Sequence, residues 1–275
     1  MSLRIFEWAD FIAPALKKPK ASAITIGIFD GIHLGHTELI RRVVASGKNP
    51  TVVTFRENPQ KLLEPQSYPG DIFTLNQRLA LFEDLGIAEV ILIDFSENIS
   101  KMNGREFISL LIDRGNLTFL VIGSNFRCGH KLDTDAALIK NMNEAKGIPT
   151  EVVPPILYGT EAISSSRIRT AINQGDLSLA TELLGRKVVL DLAPGISKIG
   201  YTKDRERIIL DVSGRLIPPS GRYRVLLQGV QNSGSQVHQF WEDDIIIKPG
   251  KVLVPNLEYN TGIKIEFLSG PISAA

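Results

Sequence analysis

The sequence predicts an α/β fold: a parallel-sheet domain covered by helices, then a smaller antiparallel β-barrel domain. Three observations carry this. Through the first two-thirds of the chain, short apolar runs alternate with segments of helical spacing, the pattern of right-handed crossovers and a parallel sheet. After Lys187 the texture changes to closely spaced apolar strands separated by Gly, Pro, Ser and Asn, as in an antiparallel barrel or sandwich. The chain has 275 residues, 43% of them hydrophobic, enough for two domains with real cores. The boundary is expected near Arg186, giving domains 1–186 and 187–275.

Ala23–Phe29 has the length and β-branching of a buried parallel strand. Asp30-Gly31 breaks it, and Leu34–Ala45 is a helix with Leu34, Leu39, Ile40, Val43 and Val44 on one side. Thr51–Phe55 is a second strand. Glu57–Asp71 holds three prolines and is expected to be a loop. Leu75–Leu85 is a helix, Glu89–Phe95 a third strand and Gly104–Arg114 a helix. Phe119–Ile122 is a fourth strand, Ala136–Lys146 a helix and Thr150–Val153 a fifth strand. Segment 164–185 reads as two short helices. Ser164 or Ser165 caps the first, Gly175 ends it, Asp176 caps the second and Gly185 stops it. The runs VVLDL, RIILDV, YRVLLQGV, IIIK, KVLVP and GIKIEFL make the barrel.

Composition narrows the chemistry. The 31 basic and 30 acidic residues nearly cancel, which argues against a large nucleic-acid surface. One cysteine, Cys128, excludes an intramolecular disulfide and Cys-rich metal sites. No stretch approaches the ~20 apolar residues of a spanning helix, and no signal peptide is expected in MSLRIFEWADFIAP, which has acidic residues and no long apolar core. A cytoplasmic location without a membrane partner is the expectation.

The most informative stretch is Ile24–His36, ITIGIFDGIHLGH. It places His33 and His36 at a strand's carboxyl end and in the first turn of a helix. Backbone N–H groups and the helix dipole favour a phosphate there. Gly31 and Gly35 let a ligand approach the main chain, and two imidazoles donate to charge developing on a phosphoryl group. The plainer alternative is that these histidines only cap or pack. FRENP (55–59) follows the second strand, where Asn58 offers a hydrogen bond or simply belongs to a Pro-terminated turn. GSNFRCG (123–129) follows the fourth. Arg127 suits bidentate phosphate contacts, while Phe126 packs on a ligand ring or fills the core. ISSSRIR (163–169) sets Ser164, Ser165 and Ser166 at a helix start with Arg167 and Arg169 behind them, either a second anion site or an N-cap with exposed arginines. Two phosphate-binding helix starts imply a polyphosphate.

GIFDGIHLGH together with ISSSRIR resembles the adenylyltransferase module of prokaryotic FAD synthetases, within the HxGH nucleotidylyltransferase superfamily. ISSSRIR is similar to that family's ISSTxxR, with Ser166 in the Thr position. GDLSLATELLGR is similar to its G-D…LLGR tail. GSNFRCG resembles its flavin-site segment G-x-D/N-F-x-F-G, with Cys128 where Phe is usual. FRENP departs from F-E/D-P-H-P: Asn58 replaces the His and Glu57 a Pro. The resemblance covers about residues 20–187. It implies a Rossmann-like nucleotidylyltransferase domain that transfers AMP from ATP to FMN, giving FAD and pyrophosphate. It also implies roles: His33, His36 and Arg169 as catalytic groups; Gly27, Phe29, Asp30, Gly31, Gly35, Ser164, Ser165 and Ser166 at ATP; Phe55, Asn58, Asn125 and Arg127 at FMN. Mg²⁺ is expected on the ATP phosphates rather than on a protein cluster.

Bifunctional members of the family carry a riboflavin kinase barrel marked by a G-F-P-T-A-N-like run. No such run lies between Lys187 and Pro219, although SGRYRVLLQG is similar to the strand that follows it. A kinase-like barrel without kinase activity is the expectation. Asp211 and Glu242, Asp243 and Asp244 are left over, the last three expected in a solvated loop. Two alternatives stand beside FAD synthesis: adenylyl transfer to another phosphorylated acceptor, and a non-catalytic flavin or nucleotide sensor.

Overall fold

A computed structural model describes residues 2–13, 20–95, 97–192, 198–204, 206–212, 215–230, 238–256 and 261–272. The chain divides into two units, Met1–Tyr68 with Leu75–Ile163, and Pro69–Thr74 with Ser164–Ala275.

The first unit begins with β1 (Arg4–Glu7) and α1 (Trp8–Ile12). It continues through β2 (Ser22–Ile26), α2 (Leu34–Ala45), β3 (Asn49–Phe55), α3 (Pro59–Leu63), α4 (Leu75–Asp84), β4 (Glu89–Ile93), α5 (Glu97–Lys101), α6 (Gly104–Gly115) and β5 (Leu117–Gly123). A small hairpin of β6 (Arg127–Cys128) and β7 (Thr134–Asp135) precedes α7 (Ala136–Glu144) and β8 (Thr150–Val153). A second hairpin, β9 (Leu157–Tyr158) and β10 (Glu161–Ala162), closes the unit. Six strands form one parallel sheet in the order β1-β4-β3-β2-β5-β8. Alternate side chains serve opposite faces. Ile24, Ile26, Val53, Leu120 and Ile122 join a core with Trp8, Phe107 and Leu111, whereas Ala23, Val52, Val90 and Val121 join another with Ile40, Val43 and Phe82.

The expected strands and helices of this unit are present, with a sixth strand added. β1 is a four-residue edge strand that is partly exposed, too short and too polar to stand out in RIFE. The expected loop after β3 is corrected: α3 forms there because Asn58 caps it, accepting from the Gln60 N–H at 3.0 Å, and Pro59 takes the first helical position.

In the second unit, α8 (Ser165–Gln174) and α9 (Leu177–Leu184) have the expected caps: Ser164 and Asp176 at their starts, left-handed Gly175 and Gly185 at their ends. They precede β11 (Val189–Leu192), β12 (Lys198–Tyr201), β13 (Arg207–Asp211), β14 (Gly221–Val230), β15 (His238–Lys248), β16 (Lys251–Pro255) and β17 (Thr261–Phe267). These seven strands form a curled antiparallel half-barrel in the order β11-β17-β14-β15-β16-β13-β12. Tyr223, Val225, Leu227, Ile245, Ile247, Ile265 and Phe267 fill it at a spacing of two. The Tyr223 hydroxyl donates to Pro219 O at 2.8 Å, so the buried ring leaves no orphaned polar atom. Glu242 and Asp244 do not lie in a loop. They are in β15, paired with Arg222 and Arg224 on the neighbouring strand.

The loop from Cys128 to β7 is anchored on the start of α6. Asp133 Oδ1 accepts from the Thr134 hydroxyl at 2.7 Å and from the Gly104 N–H at 3.0 Å, and His130 N–H donates to Met102 O at 2.8 Å. The two bonds to Asp133, the Thr134 one first, hold its carboxyl below the usual carboxylate range. Gly129 allows the contact: it has φ 84°, and a Cβ there would overlap the Gly104 amide nitrogen and the Asp133 carboxylate. Gly47 also has positive φ, 71°, with open space around it. Gly47→Ala should therefore cost about 1–2 kcal/mol of backbone strain. Gly129→Ala should cost at least ~3 kcal/mol, because strain and overlap combine. Urea unfolding of the two variants checks the difference, and equal losses would refute the packing account.

Candidate active site

The turn from β2 to α2 is held in costly backbone. Phe29, Gly31 and Ile32 have φ of 54°, 80° and 39°. For Phe and β-branched Ile the left-handed region costs about 1–2 kcal/mol each. Both side chains are fully buried, and burial of each contributes about 1.5–3 kcal/mol, enough to hold the turn. Phe29 lies edge-on to Phe82 with ring centres 5.6 Å apart. Gly27 makes room for it, since a Cβ there would crowd the Phe29 ring at 3.2 Å.

The turn delivers His33 to the N-cap of α2. Its Nδ1 accepts from the His36 backbone N–H at 3.3 Å. That bond leaves the proton of a neutral ring on Nε2. The His36 ring stacks on His33 with centres 3.7 Å apart and planes 17° apart, and meets Phe29 edge-on at 5.1 Å. Gly35 permits the stack, because a Cβ would come within 3.1 Å of the His33 ring. Burial, and after it the neighbouring His33, hold the His36 pKa well below 6.5, so this imidazole is neutral at pH 7. His36 Nδ1 is buried without a hydrogen-bond partner among the described residues. The amides of Leu34 and Gly35 occupy the first helical positions, where no intrahelical acceptor exists. Imidazole N–H groups beside a helix start can donate to the oxygens of an anion.

Sheet order places the other two motifs of this unit. The chain runs from β2 to β3 and β4 on one side, then to β5 and β8 on the other, so the strand order reverses between β2 and β5. Ligands of open parallel sheets bind at the carboxyl end of such a reversal. The histidine turn and GSNFRCG leave from its two strands, and FRENP leaves from β3 next to β2. Asn125 and Arg127 are exposed, and Arg127 is held in the β6–β7 ladder opposite Asp135. Phe126 is partly buried and packs against the core. Phe55 is half-buried, with its ring 5.9 Å from Phe95. Asn58 is buried as the cap of α3, and Arg56 pairs with Glu7 and Asp94. Burial, and after it the charge of Asp133, pushes the Cys128 thiol up to about 12, which makes it a core side chain rather than a nucleophile.

In the second unit the Ser164 hydroxyl accepts from the Arg167 N–H at 3.2 Å. Ser165 and Ser166 open α8. Arg169 is buried, and its Nε donates to Gly70 O at 3.1 Å, tying segment 69–74 to α8. The close approach of that segment requires Gly70, whose φ is 94° and whose Cβ would meet Leu216 N at 2.7 Å.

Arg78 is not among the residues that the motifs single out. It is 5% exposed, and its guanidinium donates to Ile28 O at 3.1 Å, Thr54 Oγ1 at 3.2 Å, Phe55 O at 3.0 Å and Arg56 O at 2.8 Å. The signal was available: Leu75, Arg78, Leu79 and Phe82 follow the helical spacing of a core-facing stripe, and one member carries a charge.

Comparisons with known proteins place the chain among its relatives. A family model described as FAD synthetase matches residues 15–167. A bifunctional riboflavin kinase/FMN adenylyltransferase of Buchnera aphidicola from Schizaphis graminum is 30% identical over 60% of this chain. The chain spans about half the length of that protein, 55%. The Bacillus subtilis protein of the same name is 31% identical over 74% of the chain and 66% of its own length. A protein named FAD synthetase from Listeria monocytogenes is 26% identical over 81% of the chain and 93% of its own length. A crystal structure titled macrolide-efflux protein, from Streptococcus pneumoniae, shares the fold with a TM-score of 0.79, covering 98% of this chain and 92% of its own at 23% identity. With more than half of its length matched by the family model, around the histidine turn and both flanking loops, the chain belongs to the FAD synthetase family.

Proposed function

We propose that this chain transfers AMP from ATP to FMN, giving FAD and pyrophosphate. The observation that carries the proposal is the stacked imidazole pair at the start of α2, beside the strand-order reversal, in a chain of the FAD synthetase family. A phosphate oxygen of FMN attacks the α-phosphorus of ATP in line. The new P–O bond forms as the bond to the β-phosphate oxygen breaks, and pyrophosphate leaves with that electron pair. The nucleophile is already an anion, so no strong base is required, and catalysis reduces to alignment and charge stabilisation.

In this scheme His33 and His36 donate to the phosphoryl oxygens. Gly27, Phe29, Asp30, Gly31 and Gly35 form the turn that holds them against ATP. Ser164, Ser165, Ser166 and Arg169 are assigned to ATP phosphate, and Phe55, Asn58, Asn125 and Arg127 to FMN. Among the described residues no group of three or more His, Cys, Asp or Glu side chains gathers as a metal cluster. Mg²⁺ is assigned to the substrate, carried on the ATP phosphates with few protein ligands. No helix among the described residues is long and apolar enough to cross a membrane. We place the reaction in the cytoplasm, with small-molecule partners and no nucleic acid.

Incubation with ATP, Mg²⁺ and FMN should release pyrophosphate and FAD in equal amounts. Tight flavin binding without turnover would favour the sensor, and pyrophosphate release only with a different phosphorylated acceptor would reassign the substrate. His36→Ala should lower turnover ~10²–10³-fold, the usual cost of losing a donor to transition-state charge. Near-normal FAD synthesis by a folded His36→Ala protein would remove the residue from the chemistry.

The domain 187–275 is proposed to lack riboflavin kinase activity. The missing G-F-P-T-A-N-like run supports this, as does near-full coverage of a relative named FAD synthetase alone. Riboflavin with ATP and Mg²⁺ should yield no FMN, and any FMN formed would overturn the assignment.

His36 also couples the fold to pH. Its folded-state pKa is depressed, so below pH 6.5 the unfolded chain binds a proton that the folded chain resists. Stability contributed by the neutral ring is full above pH 6.5 and declines as pH falls below it. Urea unfolding at neutral and mildly acidic pH should show that decline, and His36→Gln should reduce it. An unchanged slope in the variant would place the acid sensitivity elsewhere.

A further inference from the structure

We propose that Arg78 is a positioning residue for adenylyl transfer, setting the spacing between the histidine turn and the acceptor loop after β3. The parallel ladder between β2 and β3 ends at Ile26 and Val53, and its last bond runs from Gly27 N–H to Val53 O at 3.1 Å. Past that point the left-handed turn carries one chain away while FRENP carries off the other. The carbonyls of Ile28, Phe55 and Arg56 lie beyond the end of this ladder, and the Arg78 guanidinium donates to all three. Thr54 reinforces the link. Its hydroxyl accepts from Arg78 Nη1 at 3.2 Å and donates to Ile28 O at 3.0 Å.

The side chain is chosen for geometry. Burying a guanidinium costs free energy unless its N–H groups are satisfied. An apolar residue at the same place in the stripe would pack without that cost. A planar fork bridges acceptors on two strands; a lysine ammonium, with three donors on one nitrogen, cannot reach all of them. One end of this bridge is the residue before Phe29, five positions from His33. The other end is Arg56, two positions from Asn58. In the proposed reaction these loops carry the donor phosphate and the acceptor, so the bridge fixes the approach of the attacking oxygen.

The kinetic consequence rests on the function proposed above, whereas the geometric one does not. Arg78→Lys should lower kcat for FAD roughly 10–10²-fold, the scale of a misplacement of about 1 Å, with KM for ATP and FMN within about twofold. A lowered melting temperature with wild-type kcat below the transition would mean that Arg78 only stabilises, and would sink the proposal. Thr54→Val keeps the three carbonyl bonds and removes the hydroxyl bridge. It should give a smaller kcat loss, and the double variant should be no slower than Arg78→Lys alone; additive losses would contradict a shared bridge. If Arg78→Lys does not fold, Thr54→Val carries the test. In both variants the ¹⁵N imidazole resonances of His33 and His36 should shift from those of the wild type, and unshifted resonances would also overturn the proposal. If the wild type itself makes no FAD, the function fails, and the imidazole spectra still decide the role of Arg78.

Discussion

The site depends on a turn that the backbone alone would reject. Between β2 and α2 the chain passes through three left-handed residues, and two of them are not glycine. What makes the turn tolerable is that Phe29 and Ile32 have no exposed surface and lock into the core beside Phe82. Their burial outweighs the strain by a margin of the order of 1 kcal/mol per residue. Everything beyond it inherits that geometry. The strand must end at Ile26 for the turn to start, His33 then falls on the N-cap, and one turn of helix stacks His36 on it. Strain held by packing is the usual mark of a preorganised site.

Topology then decides which loops belong with the turn. Because the strand order reverses between β2 and β5, the connections leaving these strands go to opposite faces of the sheet, and a crevice opens between them. GSNFRCG therefore lies beside the histidine turn although some ninety residues separate them in sequence. Its own shape is held from behind, by Gly129 packed on Gly104 and by Asp133 at the start of α6. The thiol of Cys128 is part of that support, facing the core where the family usually has a Phe.

Much of this was legible in the sequence because the elements announce themselves locally. Leu34–Ala45 and Thr150–Val153 have the observed bounds, and the caps at Ser164, Gly175, Asp176 and Gly185 are all as expected, since capping needs only the residues next to a helix end. Elements without a local signal were not legible. β1 is an edge strand defined by its pairing with β4, and α3 hides among prolines until Asn58 is seen to cap it. Glu242 and Asp244 suggest a loop because their arginine partners are about twenty residues away in sequence, across a strand pair. Arg78 fails for the same reason. Its position in an apolar stripe is visible, but its acceptors are carbonyls at the ends of two other strands.

Capping and ligand binding are not rival roles for the predicted site residues. His33, Asn58 and Ser164 are each the N-cap of a helix. In each the atom used by the cap is an acceptor: Nδ1 for His36 N–H, Oδ1 for Gln60 N–H, Oγ for Arg167 N–H. The remaining polar groups of these side chains, an imidazole Nε2–H, an amide NH₂ and a hydroxyl proton, are donors. A phosphate offers only acceptors, and it is drawn to the same helix ends by the dipole and the leading amides. A cap that uses its acceptor on the backbone still carries donors, the kind of group an anion accepts from. The plainer alternative for the histidines was therefore right about what His33 Nδ1 does, and that bond is what fixes the tautomer the proposed chemistry needs.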